Sequence, residues 1–337
     1  MQFIKPNQFK ANLHSHSTFS DGRLTPEEMK AAYKAHGYSI LAVTDHEHPL
    51  DHTDLSEKDF LMLTGYEAYI RPSKECISDP FAKEIHLNLF PRDPHKVDVI
   101  NWNDRYVKYV TDPEERAKMH RFGDERPREF TVEYINSFIE NARKDGYLVT
   151  LNHPVWSMAD YDFLFDIHGY FSVEMCNYGT YRMGLPEYNG AFYDMLLRQG
   201  RRVFTHAADD NHNKEPLNTP ASDSFGAFTM INTEGDVLDH ASVIAALEKG
   251  TFYASMGPTI HTLEIAGGKA HITCSDALRI TMLYGAKSTK RVAAATFDGS
   301  VNEAEFDIPE QAPYVRFSVQ DHFGRMADTR GYFRDEF

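Results

Sequence analysis

At 337 residues, with 42% hydrophobic and 25% charged side chains, the chain has a globular composition and room for one large domain or two ordinary ones. Its formal net charge of −15 argues against long nucleic acid as a partner, since that needs a basic surface. No run of about 18 apolar residues occurs, so no membrane helix is expected. The opening "MQFIKPNQFK" lacks the apolar stretch of a secretory signal. Cys76, Cys176 and Cys274 are few, odd in number and scattered, which argues against a disulfide framework and for a cytoplasmic location.

The first element carries chemistry. In "ANLHSHSTFSDGRLTPEEM", His14 and His16 are alternate residues of a strand and face one side, and Asp21 sits on the following Asp-Gly loop. Imidazole and carboxylate are the ligands of zinc, manganese and iron. Thr25-Pro26-Glu27-Glu28 predicts a helix start with a capping box, running to about His36 and stopped by Gly37. "YSILAVT" is an apolar strand of the buried parallel type and ends in "DHEH" with His46.

The pattern then repeats. "FLMLTGYEAYI" is a strand with Glu67, and "EIHLNLF" a strand with His86. Residues 91–130 break the register in a polar, charged and aromatic stretch too long for a simple connection, either a surface excursion or a lid over the site. A helix over about Thr131–Lys144 leads to "YLVTLNHP", ending at His153. "FSVEMCN" follows, then a helix over about Tyr188–Gln199, then "RRVFTHAADDNH" with Asp210 and His212. Seven strands each bring a polar, metal-type residue towards one end, where active sites of parallel α/β barrels lie.

After about Gly257-Pro258 the chain becomes a series of short β runs separated by turns, the pattern of a small β-sandwich. The expected organisation is a catalytic domain over 1–258, with the excursion at 91–130, and a sandwich domain over 259–337.

His14, His16, Asp21, His46, Glu67, His86, His153, Asp210 and His212 make nine candidate ligands. Imidazoles gathered without metal would repel when protonated. As a set, "HSHSTFSDG", "TDH", "GYE", "IHLNLF", "LNHP" and "DDNH" resemble the motifs of the polymerase and histidinol phosphatase (PHP) superfamily of metal-dependent phosphoesterases. The bridging lysine of the amidohydrolases is missing from the predicted strands. "FYASMGP", the trailing sandwich and "ADTRGYF" are similar to the CehA/McbA-like metallohydrolase branch, which includes a carbamate-cleaving enzyme.

The resemblance implies a distorted seven-stranded β/α barrel holding two or three divalent ions of zinc, manganese or iron. One ion would take His14, His16, Glu67 and Asp210, a second Asp21, His46 and His212, a third His86 and His153 with Glu67 bridging. Asp21, His46, Glu67 and Asp210 would be catalytic through those ions, with a metal-bridging hydroxide attacking a phosphate ester. Asp45 and Asp209 would orient neighbouring ligands. Arg182, after the sixth strand, is the candidate phosphate clamp. His48, His52 and His206 are read as bystanders. The expected substrate is a small phosphomonoester, with a carbamate or carboxylic ester, or an oligonucleotide end, as alternatives.

Overall fold

The computed structural model describes residues 1–72 and 80–337, so Cys76 lies outside the described residues. Elements follow one another as β1 (Gln2–Ile4), β2 (Phe9–Asn12), α1 (Pro26–Ala35), β3 (Ile40–Val43), β4 (Leu61–Thr64), β5 (Tyr66–Ile70) and β6 (Ile85–Pro91). Within 91–130 lie β7 (Val99–Ile100), α2 (Pro113–Lys118) and β8 (Arg121–Phe122). Then come α3 (Val132–Lys144), β9 (Tyr147–Leu151), α4 (Tyr161–Asp166), β10 (Ser172–Asn177), α5 (Tyr178–Arg182), α6 (Gly190–Arg198), β11 (Phe204–Ala208), β12 (Phe228–Ile231), α7 (His240–Lys249) and β13 (Phe252–Ser255). The rest is β14 (Ile260–Ala266), β15 (Lys269–Ala277), β16 (Arg279–Leu283), β17 (Lys290–Ala293), β18 (Val301–Asp307), β19 (Tyr314–Gln320), β20 (Met326–Thr329) and β21 (Tyr332–Phe333).

Local signals act as expected. Thr25 and Glu28 form a reciprocal capping box with Pro26 at the first helical position of α1. Thr131 caps α3, whose Tyr134, Ile135, Phe138, Ile139 and Ala142 form its buried stripe. The strands that position the site, β3 to β6, β9 and β10, are buried at every residue, which explains their nearly continuous apolar runs.

The structure does not show a closed seven-stranded barrel. It is a mixed α/β fold built on open sheets: β11-β10-β9-β6-β5 forms one, and a larger one runs β17-β16-β19-β20-β13-β12-β2-β3-β4. Nor are all the site strands parallel, because β6 pairs antiparallel with both β5 and β9. The single strand expected over Phe60–Ile70 breaks at Gly65, giving β4 to the large sheet and β5 to the smaller. The two sheets meet at seams of isolated bridges, His46 with Glu67 on one side and Ser15 with Asn211 on the other. Continuous ladders give way there to polar side chains that must face one another across the gap.

The C-terminal strands form two facing layers. The sheet β1-β14-β15-β18 packs Leu263, Ile265 and Ile272 against Ile280, Phe317 and Val319 of the large sheet. Alternating burial along β14 and β15 marks these as strands with one wet face. Strand pairings tie this unit to the rest: β1, from the N-terminus, pairs with β14, and β13 pairs with β20. No helix among the described residues is long and apolar enough to cross a membrane.

Candidate metal centre

The seams carry the donors. Beyond β2, His16 N–H donates to Asn211 O and Asp210 N–H donates to His14 O, both at 2.9 Å, which joins the His-x-His segment to the Asp-x-His segment. Asn12 anchors the same junction, since its Oδ1 accepts Asp209 N–H at 2.9 Å. Across the other seam, Glu47 N–H donates to Glu67 O at 2.8 Å, setting His46 beside Glu67.

All nine sequence-predicted donors come together. Their nitrogens and oxygens form four overlapping groups, each within 4.8 Å: His16, Asp21, His46 and His212; His14, Glu67 and His153; His14, His16 and Asp210; His46, Glu67 and His86. Glu67 is central, with His14 Nε2 at 3.1 Å, His46 Nδ1 at 3.0 Å, His86 Nδ1 at 3.0 Å and His153 Nε2 at 3.4 Å. His16 faces Asp210 Oδ1 at 3.0 Å and also stacks on His46 and His212 with ring centroids 4.4 Å apart. His86 and His153 fall in different groups that share Glu67.

This set fits divalent cations. Among the described residues, Asp21 Oδ1 and His153 Nδ1 are buried without a hydrogen-bond partner, and His46 Nδ1 faces Glu67 without hydrogen-bond geometry. Burial and the nearby His46 and His212 imidazoles hold His16 down at about 4, so the His16 ring presents a neutral nitrogen. His153 and Asp210 sit at φ 24° and 52°, backbone that ordinary residues adopt at a cost of order 1–3 kcal/mol and that clusters at functional sites. Carboxylates and imidazoles together match zinc, manganese or iron rather than calcium.

Gly22 shapes the Asp21 loop. A Cβ there would lie 2.1 Å from His16 O, so only glycine lets the turn return this closely on the strand end. Asp45 holds the same turn, accepting Ser17 N–H at 2.8 Å and the Ser17 and Ser20 hydroxyls. Asp209 accepts the N–H groups of Phe225, Gly226 and Ala227 and the Tyr33 hydroxyl, and burial still pushes its carboxyl up to about 6. It braces the Asp210 backbone.

Several supporting residues were assigned no role from the sequence. Glu174 Oε1 lies 2.8 Å from His14 Nδ1, and its Oε2 accepts His153 N–H at 2.8 Å. Against the upward push of burial, the His14 imidazole keeps the Glu174 carboxyl below its ordinary range. Asn152 donates to Glu67 Oε1 at 2.8 Å, and Asn177 donates to Asp210 Oδ2 at 3.0 Å. Glu84 Oε2 stands 3.0 Å from His86 Nε2. Such partners fix ring orientation and tautomer at metal sites. The only hint was position: Glu174 and Asn177 end the sixth strand, and Glu84 precedes a candidate ligand by two.

The donors floor a cavity of about 430 Å³ walled by Tyr69, Tyr109, Trp156 and Met183 and by the cations Arg71, Lys108, Arg182 and Lys214. Arg182 reaches it, with Nη2 4.0 Å from Asp223 Oδ2 and Nε buried and unpartnered among the described residues. Lys108 and Tyr109 come from the 91–130 excursion, and the Tyr109 ring stacks 6.1 Å from His46. Of the bystanders, His48 Nδ1 meets Phe19 O at 3.1 Å, His52 packs on Phe19, and buried His206 pairs with Ser172 Oγ at 2.8 Å; none joins a donor group.

No curated protein matches the chain. Among solved structures, a two-domain protein from Bacteroides vulgatus described as containing a predicted PHP-like metal-dependent phosphoesterase is 13% identical, with 97% of this chain and 87% of that one covered and a TM-score of 0.44. An amidohydrolase from Chromobacterium violaceum, solved with sulfate and no metal, is 14% identical over 72% of this chain and 96% of that one, with a TM-score of 0.42. Residues 12–153, which carry His14, His16, Asp21, His46, Glu67, His86 and His153, match the family model described as the PHP domain, and this match supports a metal-dependent hydrolase enzyme.

Proposed function

We propose that the protein hydrolyses phosphate esters, small phosphomonoesters in particular, at a centre of two or three zinc, manganese or iron ions. The observation that carries this reading is the convergence of nine donors in four overlapping groups under a cavity with cationic walls. His14, His16, Glu67 and Asp210 would hold one ion, Asp21, His46 and His212 a second, and His86 and His153 with Glu67 a third. Divalent ions so held supply water of lowered pKa and positive charge against the ester oxyanions. Asp21, His46, Glu67 and Asp210 set where that chemistry occurs. Arg182 would hold phosphoryl oxygens, since its fork suits bidentate contacts and its Nε has no partner among the described residues. Trp156, Tyr69 and Tyr109 shield the reacting group from bulk water.

The aromatic wall also favours a second reading, an aryl carbamate or carboxylic ester cleaved at the same centre, in line with the CehA/McbA-like resemblance. We further infer that residues 1–258 form the catalytic domain and 259–337 a β-sandwich domain, since every donor precedes 258. The acidic balance supports a small substrate over long nucleic acid, and the buried, unbridged Cys176 and Cys274 support a cytoplasmic setting.

The test is elemental analysis after reconstitution with each metal, followed by a panel of phosphomonoesters, aryl carbamates and carboxylic esters. At least two ions per chain and turnover of phosphomonoesters are expected. Asp210→Ala should abolish turnover and lower metal content while the circular dichroism of the fold persists. Less than one ion per chain, or near-normal turnover in that variant, refutes the assignment.

A further inference from the structure

The donor cluster explains the floor of the cavity but not the wall beside Glu84. Arg71 follows β5, and its side chain is only 8% exposed. Its Nη2 donates to Glu84 Oε2 at 2.8 Å, and the same oxygen lies 3.0 Å from His86 Nε2. The other nitrogen of that ring, Nδ1, faces Glu67 Oε1 at 3.0 Å. Arg71 therefore stands behind His86, on the side turned away from Glu67. Its guanidinium lies 4.7 Å over the Tyr69 ring, which fixes the plane of the fork.

Among the described residues, two of its nitrogens, Nε and Nη1, are buried with no hydrogen-bond partner, yet Arg71 lines the cavity. Charged groups buried with donors unpaired are costly, and two free N–H donors on a buried guanidinium suit an oxyanion. Lys108 lines the same cavity, with Nζ 4.8 Å from the Tyr109 ring centroid and 5.8 Å from that of Tyr69. Its ammonium thus lies over the aromatic wall of the cavity. A group held by Arg71 is thus separated from the donors by the His86 ring.

We propose that Arg71 and Lys108 bind a second anionic group of the substrate, a carboxylate or a phosphate, set apart from the ester group that reacts over the donor cluster. This rests on the reading of that cluster as the reaction centre. It narrows the substrate to a molecule with two anionic ends. Arg182, the last residue of α5 after β10, stays available to the reacting group.

The test is equilibrium binding by calorimetry to the full, metal-loaded chain, which needs no turnover. Phenylphosphonate is compared with 4-carboxyphenylphosphonate and 1,4-phenylenebisphosphonate, and benzoate with terephthalate. The second anionic group should tighten binding at least tenfold, and the larger gain identifies it as carboxylate or phosphate. In Arg71→Gln the gain should fall to twofold or less, and Lys108→Met should cut it at least threefold. If Arg71→Gln loses metal or fold, Lys108→Met decides by the same criterion. No gain in the parent, or a gain that survives the substitution, overturns the inference. If the phosphonates fail to bind while terephthalate outbinds benzoate through Arg71, the phosphate-ester reading falls and this inference stands.

Discussion

Arg128, near the end of the 91–130 excursion, is buried completely against Glu47, the residue after His46. Its Nη2 donates to Glu47 Oε2 at 2.8 Å, its Nη1 to Glu47 Oε1, and Nη1 also to Tyr69 O at 2.7 Å. Glu47 in turn accepts Tyr69 N–H at 2.9 Å and holds φ 51°. One guanidinium therefore clamps the His46 loop to the strand that carries Glu67. Removing it strands a buried carboxylate, which costs about 3–5 kcal/mol, whereas replacing both partners by apolar side chains costs far less. Arg128→Met should lose roughly that much in denaturant unfolding, and Arg128→Met with Glu47→Leu should recover much of it. A single variant within about 1 kcal/mol of the parent refutes the clamp.

Glu174 offers a test of orientation without a change of shape. In Glu174→Gln the contact to His14 Nδ1 keeps its geometry but loses its charge. Metal affinity, measured by competition with a chelator, should weaken by about 10- to 100-fold with little change in melting temperature. Unchanged affinity would show that His14 needs no such partner.

At Gly22 the constraint is steric. Alanine there would drive its Cβ to 2.1 Å from His16 O and 2.5 Å from the carbonyl carbon, so the loop must move. The expected cost is about 1–3 kcal/mol of strain, together with a loss of metal as Asp21 leaves its place near His212. Elemental analysis of Gly22→Ala beside its unfolding curve checks both parts.

The C-terminal layers should take no part in bond cleavage. Asp298→Ala and His322→Ala alter exposed positions far in sequence from every donor and should leave turnover within a few-fold of the parent. Asp321 is a poor choice for this test, because its carboxylate holds its own turn through Phe323 and Arg325 N–H. A 100-fold loss, equal to about 2.7 kcal/mol of barrier, with fold and metal intact, would show that this region reaches the site.

The sequence by itself determined the donor set and the elements that carry it. His14-x-His16 with an Asp-Gly loop, then a histidine or carboxylate near each strand end, is local information, because strand alternation and helix capping depend on neighbours in the chain. Tertiary structure decided the rest. Whether seven strands close or stop as open sheets depends on pairing between distant segments, and the antiparallel β6 and the break at Gly65 have no short-range signature that separates them from a parallel strand. The partners Glu174, Glu84 and Asn152 look like ordinary strand residues until folding brings them against imidazole or carboxylate. Likewise the sequence leaves the excursion open between surface and lid, and only folding sets Lys108 and Tyr109 into the cavity wall and buries Arg128. Long-range contacts are set by the packing of the whole chain, so residue type and spacing alone did not reveal them.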